Sequence, residues 1–595
     1  MQKGKDQNKY QVEFGTVGRN LSELEKTEIE NLNLPGIDFE ESYSRYYPNG
    51  DFASYIVGYA KTNEYTDKTG KLVTSIDGEL GIEAKFNDEL KGTDGYQSYQ
   101  QDRFGYKIPD TKEEKIDAID GKNIYLTIDS SIQRFSETEI KSIESEYKPE
   151  WALIEVMDAK TGDILASSSS PSFNPNIRNI VSYENPLVTK VFEPGSTMKI
   201  YTYMCAMEKG TYNGEEKFKS GSIEVADATI RDWNNTGWGE ITYDKGFEYS
   251  SNVGVSTMIN HFIDGDELKD CFKKYGFGEA TGIDMSKESS GTLGFKYPVE
   301  IANAAFGQGI NTTAVQHLKA LSMIANDGYE VTPHVVKKIV DPNTGKTTYK
   351  RKVEKSDRLV KQSTIDKIED LMYNVVNSDD PEATGKRYKI EGFDVIGKTG
   401  TSQIYNEKTG GYLTGDNDYI YSFAGMFPKD DPEIIIYAAV RRPNVGSSSV
   451  LSTSITSLMQ NIAKYKNMFT DVTQNNSSVT ALTLDTYTNK YTSDVTTELA
   501  SNNIQTVVIG NSDKIISQYP NAGEEVLSYD KVFLITNGSE GIMPDLTGYS
   551  RSEAIYLLKA LNINYELTGY GHVTAQSIKA GDMVNGNTVQ ITLSE

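Results

Sequence analysis

The hydrophobic pattern of this chain changes abruptly at residue 151. Residues 1 to about 148 are polar, rich in Tyr, Asp, Glu and Gly, and interrupted by turn signals such as Pro48–Gly50. From Trp151 onward, two apolar stretches flank the turn-like segment Asp158–Asp163 and predict a strand hairpin. Helical periodicity continues to about residue 330, strand-like segments return near residues 393–440, and a Ser-rich helical segment ends near residue 465. The pattern indicates a loop-rich module followed by a mixed α and β domain.

The C-terminal part of the chain contains an internal repeat. Ser493–Ile504 aligns with Ser552–Ile563, and Asn521–Val526 aligns with Lys579–Val584. Each copy predicts one helix, then strands, an Ala-Gly turn and a final strand. Because a unit of roughly 60 residues has a marginal core, we expect the two copies to pack on each other or on the main domain.

The length of 595 residues is enough for roughly three to five domains of about 150 residues. We predict an N-terminal domain over residues 1–149, a central domain over residues 150–468, and two repeats over residues 479–538 and 539–595. A hydrophobic content of 37% is typical of globular domains. The sequence therefore predicts a multidomain α+β protein.

The composition excludes several classes of function. Sixty Lys and Arg against 85 Asp and Glu give a net charge of −25, which repels nucleic acids and anionic lipid surfaces, so we predict no nucleic-acid partner. The two cysteines, Cys205 and Cys271, are too few for a disulfide framework, and we interpret both as small buried residues. Neither cysteine has metal-ligand spacing, so we predict no metal and no cofactor. The histidines are scattered at His261, His317, His334 and His572.

No apolar run approaches the roughly 18 residues that a membrane span needs. The longest, Ile434–Val440, has the length of a strand, and Met1–Gln7 does not resemble a signal peptide. Two interpretations follow: a cytoplasmic protein, or an ectodomain whose membrane anchor lies outside this sequence.

The segment Val191–Ile200 (VFEPGSTMKI) contains a candidate nucleophile. Ser196 lies at the start of a predicted helix, where free N–H groups favour a developing negative charge. Lys199 lies one turn further on the same face. To accept the serine proton, Lys199 must be neutral, so its pKa must fall well below about 10.4 through burial and a second nearby cation. The helix face is predicted from apolar residues Ile200, Tyr203, Met204 and Met207.

A Ser-x-x-Lys pattern alone is weak evidence, because it also occurs at Ser145 with Lys148 and at Ser528 with Lys531. A second candidate motif is therefore needed, and Ser250-Ser251-Asn252 supplies one before a predicted helix. In the ordinary interpretation, Ser and Asn cap that helix. In the functional interpretation, Ser250 relays a proton and Asn252 holds a substrate amide. The helix face is predicted from Val255, Met258, Ile259 and Phe262.

Lys-Thr-Gly occurs four times, and three copies, at residues 68–70, 160–162 and 408–410, are predicted to be hairpin turns. Only the copy in Val395–Ile404 (VIGKTGTSQI) has apolar, β-branched neighbours, so we predict that it lies within a strand. A glycine there, Gly400, lets a substrate backbone approach and pair along the strand edge. Lys398 is a cation for a substrate carboxylate and could depress the pKa of Lys199, while Thr399 and Thr401 add hydroxyl donors.

These three motifs, in this order and in these contexts, resemble those of the serine transpeptidase superfamily of penicillin-binding proteins and β-lactamases. The chain is most similar to class B penicillin-binding proteins of the Gram-positive division type, and its repeats resemble PASTA modules. The supporting stretches are Tyr10–Gly15 (YQVEFG), Leu34–Ile37 (LPGI), Tyr46–Ser54 (YYPNGDFAS) and Asp232–Glu240 (DWNNTGWGE). The resemblance implies an antiparallel sheet flanked by helices with a helical lobe, an elongated N-terminal pedestal of the dimerisation type, and two small α/β repeats.

The resemblance also implies a peptidoglycan D,D-transpeptidase that cross-links stem peptides and is inhibited by β-lactams. Ser196 would be acylated by the penultimate D-Ala carbonyl, with Lys199 as general base and Ser250 as proton shuttle. Asn252 would hold the peptide amide. The terminal carboxylate would be bound by Lys398, Thr399 and Thr401. Backbone N–H groups of Ser196 and Thr401 would form the oxyanion hole, which often contributes a few kcal/mol.

The chain departs from this family at its N-terminus, where members have a cytoplasmic tail, one membrane helix and an Arg-Gly-rich segment. We therefore expect an ectodomain on the extracytoplasmic face of the cell membrane, truncated before its anchoring helix. The glycosyltransferase domain of class A members is not found in the sequence. The resemblance therefore implies a membrane glycosyltransferase of the division machinery as partner.

Three alternatives share the motifs. A serine β-lactamase would need a base for deacylation, and the Glu-x-x-x-Asn pattern that supplies it in one class does not occur in residues 253–397. A D-Ala-D-Ala carboxypeptidase differs only in using water as acceptor. A wall- or antibiotic-sensing receptor would be acylated once and then signal through the membrane.

Overall fold

The computed structural model describes most of the chain, in two compact units. The units are residues 51–479, and residues 1–50 together with 480–595. Helix α1 (Glu23–Asn31) belongs to the second unit. The described residues are 12, 14, 18, 21, 23–39, 44–66, 72–103, 106–406, 408–466, 468, 481–502, 504–510, 512–523, 525–527, 531–538, 541–549, 551–568 and 572–594. The Lys-Thr-Gly copy at 68–70, Ser528 and most of Tyr10–Gly15 lie outside these ranges.

The first elements of the larger unit are short helices and local strand pairs. In order they are α2 (Ser54–Val57), β1 (Tyr59–Thr66), β2 (Leu72–Leu80), α3 (Gly81–Lys85), α4 (Asn87–Lys91), β3 (Tyr96–Ser98), β4 (Glu114–Ile116), β5 (Asn123–Leu126) and α5 (Ser130–Tyr147). β1 pairs antiparallel with β2, and β3 pairs with β4. The compact unit continues from residue 51 through these elements, so the domain boundary at residues 149 and 150 stays a prediction.

The next part of the chain builds the hairpin predicted after residue 151 and a helical lobe. Its elements are β6 (Trp151–Asp158), β7 (Ile164–Ser170), α6 (Lys199–Lys209), β8 (Lys217–Lys219), β9 (Ser222–Val225), β10 (Ala228–Arg231), β11 (Glu240–Thr242), α7 (Tyr243–Glu248), α8 (Asn252–Met258), α9 (Gly265–Lys274), α10 (Pro298–Ala305) and α11 (Ala314–Ala325). The predicted face of α8 is too long. The helix ends at Met258, and Phe262 is buried beyond it.

Strands return after this lobe at residue 336, earlier than the predicted 393, and a helix closes the unit at residue 465, as the sequence predicts. The elements are β12 (Val336–Val340), β13 (Thr347–Lys350), α12 (Gln362–Asn377), β14 (Ile396–Gln403), β15 (Tyr405–Asn406), β16 (Gly411–Tyr412), β17 (Tyr419–Phe427), β18 (Ile434–Arg441) and α13 (Ser452–Tyr465). The Lys-Thr-Gly copies at residues 160–162 and 408–410 lie in the predicted turns, between β6 and β7 and between β15 and β16.

The central sheet has five antiparallel strands in the order β14-β17-β18-β6-β7. β18 is buried along almost its whole length, because it lies in the middle of the sheet with helices on both faces. The Lys-Thr-Gly copy at Lys398 lies within β14, which is the edge strand. The predicted strand context of this motif is therefore confirmed, and one edge of β14 carries no neighbouring strand of the sheet.

Both predicted repeats contain a helix followed by three strands of one sheet, and the first repeat has two further short strands that pair with each other. The first contains β19 (Ala481–Thr483), α14 (Thr492–Ser501), β20 (Gln505–Ile509), β21 (Ile515–Tyr519), β22 (Glu525–Leu527) and β23 (Lys531–Thr536), and the second contains α15 (Arg551–Ala560), β24 (Tyr565–Thr568), β25 (His572–Gln576) and β26 (Val589–Ser594). Phe533 of the first repeat lies in the same hydrophobic core as Leu557 of the second, and its ring centroid is 5.3 Å from that of Tyr549. The repeats therefore pack on each other.

Cys205 of α6 and Cys271 of α9 form a disulfide bond. The interpretation of both as merely small buried residues was wrong, because two segments 66 residues apart bring the sulfur atoms together only after the lobe folds. The bond joins the helix that begins at Lys199 to the outer part of the helical lobe.

Within the described ranges, no helix combines the length and the hydrophobicity needed to cross a membrane.

We expect the disulfide to stabilise the lobe, because a cross-link over a loop of this length restricts the unfolded chain by about 2–4 kcal/mol. The double variant Cys205→Ala/Cys271→Ala should therefore melt several degrees below the parent in a calorimetric scan. Dithiothreitol should lower the parent to the same melting temperature and leave the variant unchanged. Two titratable thiols in the unreduced, denatured parent would contradict the bond.

Candidate active site

Ser196 lies in a short 3-10 turn, Gly195–Met198, that leads directly into α6. Gly195 has a positive φ of 61°, and a Cβ atom there would lie 2.5 Å from the Thr401 carbonyl oxygen. Its backbone N–H donates to Gly307 O at 3.0 Å. Only glycine allows the turn to lie this close to β14. The turn that carries Ser196 is therefore held beside the edge strand, and Ser196 is 9% exposed.

Lys199 is the first residue of α6 and is fully buried. Its Nζ donates to Ser250 O at 2.6 Å and to Asn252 Oδ1 at 2.8 Å, and it lies 3.3 Å from Ser250 Oγ. In the part of the chain that the structure describes, the Ser196 hydroxyl makes no hydrogen bond. The lysine is thus joined to the second motif and lies one turn from the serine of the first. Hydrogen bonds to a nucleophile often tighten only when substrate binds.

Ser250 joins α7 to α8 and adopts a left-handed backbone conformation, with a φ of 60°. The next residue, Ser251, caps α8 by accepting a hydrogen bond from Gly254 N at 2.8 Å. The capping interpretation is confirmed for Ser251, whereas Ser250 and Asn252 contact the buried Lys199 and their functional roles stay predictions. The unusual φ turns the Ser250 hydroxyl toward the sheet.

Lys398 reaches the same hydroxyl from β14. Its Nζ donates to Ser250 Oγ at 2.9 Å and to Thr399 O at 3.0 Å, and lies 5.9 Å from the centroid of the Phe247 ring. Lys398 is fully buried. The Ser250 hydroxyl oxygen is therefore within reach of two buried ammonium or amine groups, one from each side.

Burial is the main cause of the unusual titration of both lysines. It places the pKa of Lys199 well below its ordinary value, the positive charge of Lys398 lowers it further, and the negative charge of Asp232 opposes these effects. Burial also lowers the pKa of Lys398 to about 7. The predicted means of neutralising Lys199, burial and a second cation, are thus both present. A neutral amine at Lys199 can accept a proton, and a protonated Lys398 can bind an anion.

The remaining residues of the third motif line the open edge of the sheet. A Cβ atom on Gly400 would lie 2.1 Å from Ser422 Oγ and 3.0 Å from Pro194 O, so the close approach of β14 to the serine turn requires glycine. The Thr399 hydroxyl lies 3.0 Å from the Thr384 hydroxyl. Thr401 is exposed on this edge. The edge offers backbone groups and hydroxyls to an extended ligand.

Two residues of the site were missed by sequence reasoning. Thr384 contributes its hydroxyl from the segment between α12 and β14, and no pattern around it distinguishes it from an ordinary loop residue. Asp232 is buried beneath the Ser250 turn. It stands in the stretch Asp232–Glu240, which was noted only for its resemblance to the family. No described group of three or more His, Cys, Asp or Glu side chains is arranged to hold a metal ion.

Comparison with known families now adds to this geometry. The penicillin-binding protein transpeptidase domain matches residues 152–464, which include all three motifs. The chain belongs to the class B penicillin-binding proteins. The penicillin-binding protein dimerisation domain matches residues 1–126, and the PASTA domain matches residues 483–538 and 541–595. The family membership, the mixed fold and the PASTA repeats expected from the sequence are therefore confirmed.

Curated relatives give the same assignment. Stage V sporulation protein D of Bacillus subtilis is 32% identical over 87% of this chain and 79% of its own length. Peptidoglycan D,D-transpeptidase FtsI of Escherichia coli is 27% identical over 70% of this chain and 66% of its own length. The relatives thus include proteins named for sporulation and proteins named for transpeptidation.

Solved structures are similar over most of the chain. Penicillin-binding protein 2X from Streptococcus thermophilus matches with a TM-score of 0.67 and 30% identity, covering 98% of this chain and 88% of its own. Penicillin-binding protein 3 from Mycobacterium tuberculosis in complex with ampicillin matches with a TM-score of 0.59 and 27% identity, covering 72% of this chain and 91% of its own.

The pKa of Lys398 predicts the pH dependence of acylation by a penicillin. We predict that protonated Lys398 binds the drug carboxylate, so the second-order rate constant should fall as pH rises through about 7, where this residue loses its proton in the free enzyme. Lys398→Arg stays charged and should remove this alkaline limb, although its absolute rate will be lower. Stopped-flow acylation between pH 5 and pH 9 measures both. An alkaline limb that persists in the arginine variant would assign it to another group.

Proposed function

We propose that Ser196 is the nucleophile with which this penicillin-binding protein cross-links peptidoglycan stem peptides. One observation carries the assignment: Lys199, one helical turn from Ser196, and Lys398 are both fully buried, and both reach the Ser250 hydroxyl. Two buried lysines are costly to a fold, so their joint presence beside a serine supports a catalytic role.

In the first half-reaction, neutral Lys199 takes the proton of Ser196 as the serine oxygen attacks the penultimate D-Ala carbonyl. The backbone N–H groups of Ser196 and Thr401 stabilise the oxyanion. The proton then passes from Lys199 through the Ser250 hydroxyl to the nitrogen of the departing D-Ala. The C–N bond breaks, and the stem peptide remains as an ester on Ser196.

Substrate recognition uses the edge of β14. Protonated Lys398, with the hydroxyls of Thr399 and Thr401, binds the terminal carboxylate, and that negative charge in turn favours the protonated lysine. Asn252 holds the peptide amide, whereas Gly400, expected from the sequence to admit the substrate backbone, instead lets β14 approach the serine turn at Pro194. In the second half-reaction, an amine of a neighbouring strand attacks the ester, and its proton returns through Lys199 to Ser196.

We further propose that β-lactams acylate Ser196 in the same way. A β-lactam presents a carboxylate and a strained amide, and its leaving nitrogen stays tethered after ring opening. The complex of ampicillin with penicillin-binding protein 3 supports this proposal. The leaving group obstructs the acceptor, and no glutamate stands in the β-lactamase spacing, so the adduct should persist.

The cellular role follows from the relatives and from chemistry. We propose that the transpeptidase domain works in septal wall synthesis on the extracytoplasmic face of the membrane. The disulfide supports an oxidising compartment. From the resemblance to class B members, we propose a membrane glycosyltransferase of the division machinery as the partner that polymerises the glycan strands.

Ser196→Ala should abolish covalent labelling by a fluorescent penicillin while the melting temperature stays close to that of the parent. Ser145→Ala is the matched control, because Ser145 has the same Ser-x-x-Lys spacing but lies at the exposed end of α5. It should label like the parent. Peptide mapping of the adduct locates the site. Labelling of the Ser196 variant at another residue would overturn the assignment.

Transfer and hydrolysis are separated with a depsipeptide that ends in a D-Ala-D-lactate ester. With a D-amino acid acceptor, mass spectrometry should detect the transfer product, because an amine competes with water for the acyl-enzyme. A product formed by water alone at every acceptor concentration would identify a carboxypeptidase. With penicillin, the adduct should last minutes to hours after free drug is removed, whereas loss within seconds with accumulating hydrolysed drug would identify a β-lactamase.

A further inference from the structure

A buried carboxylate lies beneath the turn that contacts both lysines. Asp232 follows β10 and is 1% exposed. Its Oδ1 accepts hydrogen bonds from the Ser251 hydroxyl at 2.7 Å and from Val253 N at 3.0 Å, and its Oδ2 accepts one from Gly221 N at 2.7 Å. All three donors come from the protein backbone or from the second motif. The carboxylate is therefore satisfied without a cationic side chain directly bound to it.

The same strand end orients the second motif. The Asn252 amide donates through Nδ2 to Arg231 O at 3.1 Å, which leaves its Oδ1 to accept from Lys199 Nζ. Ser251 is fixed by Asp232 on one side and caps α8 on the other. The turn that contacts Lys199 is thus held by Arg231 and Asp232 together.

The buried groups around this turn include two lysines but one carboxylate that acts on Lys199. The two lysines are fully buried, and the charged groups that act on Lys199 are Lys398 and Asp232. Tyr203 also faces the region from α6, but burial raises the pKa of its phenol and keeps it neutral. Arg231 is exposed to solvent. Two buried ammonium groups with one carboxylate would leave one positive charge uncompensated in a low-dielectric site, whereas one ammonium group leaves none.

We propose that Asp232 is a positioning residue for acyl transfer: it fixes the Ser250–Asn252 turn and supplies the negative charge that balances one of the two buried lysines. The proposal rests on the roles proposed above for Lys199 and Lys398. Among the charged groups around the turn, Asp232 acts on Lys199, where its negative charge opposes the effects of burial and of Lys398. Asp232 also makes Lys199 more basic than it would be beside Lys398 alone.

Asp232→Asn tests the charge, because it keeps the size of the side chain. Without Asp232, Lys199 loses the group that raises its pKa, so the acid limb of the acylation profile moves to lower pH and the maximum rate constant falls. Asp284→Asn is the matched control. Asp284 also accepts two backbone N–H groups, from Val335 and Val336, and it does not act on either buried lysine. This control should lower the melting temperature and leave the pH profile unchanged.

If Asp232→Asn does not fold, the melting temperatures of further variants still test the proposal. Lys199→Gln removes the positive charge on which Asp232 acts, so the double variant Asp232→Asn/Lys199→Gln is balanced again. We expect its loss of melting temperature to be smaller than the sum of the two single losses, or the double variant to fold where the single variant does not. An unshifted acid limb in a folded Asp232→Asn, or additive losses in the cycle, would overturn the proposal.

The proposed role of Asp232 can be rejected without rejecting the proposed function. Ser196 labelling depends on the nucleophile alone. If Ser196→Ala abolishes labelling and Asp232→Asn leaves the pH profile of the parent unchanged, the transpeptidase assignment stands and only the role of Asp232 is rejected. If labelling maps to another residue, the proposed nucleophile is rejected first.

Discussion

The contact of two buried lysines with one serine hydroxyl is the constraint on which the rest of this structure depends. Lys199 and Lys398 come from a helix and from a sheet edge, and they meet at Ser250 Oγ. Neither could be buried as a charged group without a compensating partner, because removing an ion from water costs several kcal/mol. The positive φ at Gly195 and the small size of Gly400 allow the helix start and the edge strand to approach closely enough for this contact.

The elements that carry the motifs could be predicted because their signals are local. The single Lys-Thr-Gly copy with apolar, β-branched neighbours is the one that lies in a strand, and the copies at residues 160–162 and 408–410 are turns. The continuous apolar run Ile434–Val440 is typical of a strand that is buried on both faces, and it forms β18. The helix after Ser196 was predicted from its apolar spacing, although a 3-10 turn precedes it.

Other features depend on contacts between distant parts of the chain and have no local signal. The disulfide joins Cys205 and Cys271, which only the packing of α6 against α9 brings together. Asp232 is buried through its hydrogen bonds with Ser251 and Gly221, and although the stretch Asp232–Glu240 resembles the family, no local pattern there predicts a buried acid. Similarly, α8 stops at Met258 although apolar residues continue at helical spacing, since Ile259 turns to an extended conformation. Periodicity records which residues are buried, but not where the backbone changes direction.

The left-handed backbone conformation of Ser250 lowers the stability of the fold but keeps a hydroxyl group between the two lysines. A residue other than glycine costs on the order of 1 kcal/mol in that conformation, and glycine at this position would relieve the strain while removing the hydroxyl that the lysines share. Selection for a more heat-resistant protein would therefore favour a change that the proposed role of Ser250 in acyl transfer forbids. If this turn serves both reactions as proposed, a substitution that weakens β-lactam acylation there also weakens the native acyl transfer.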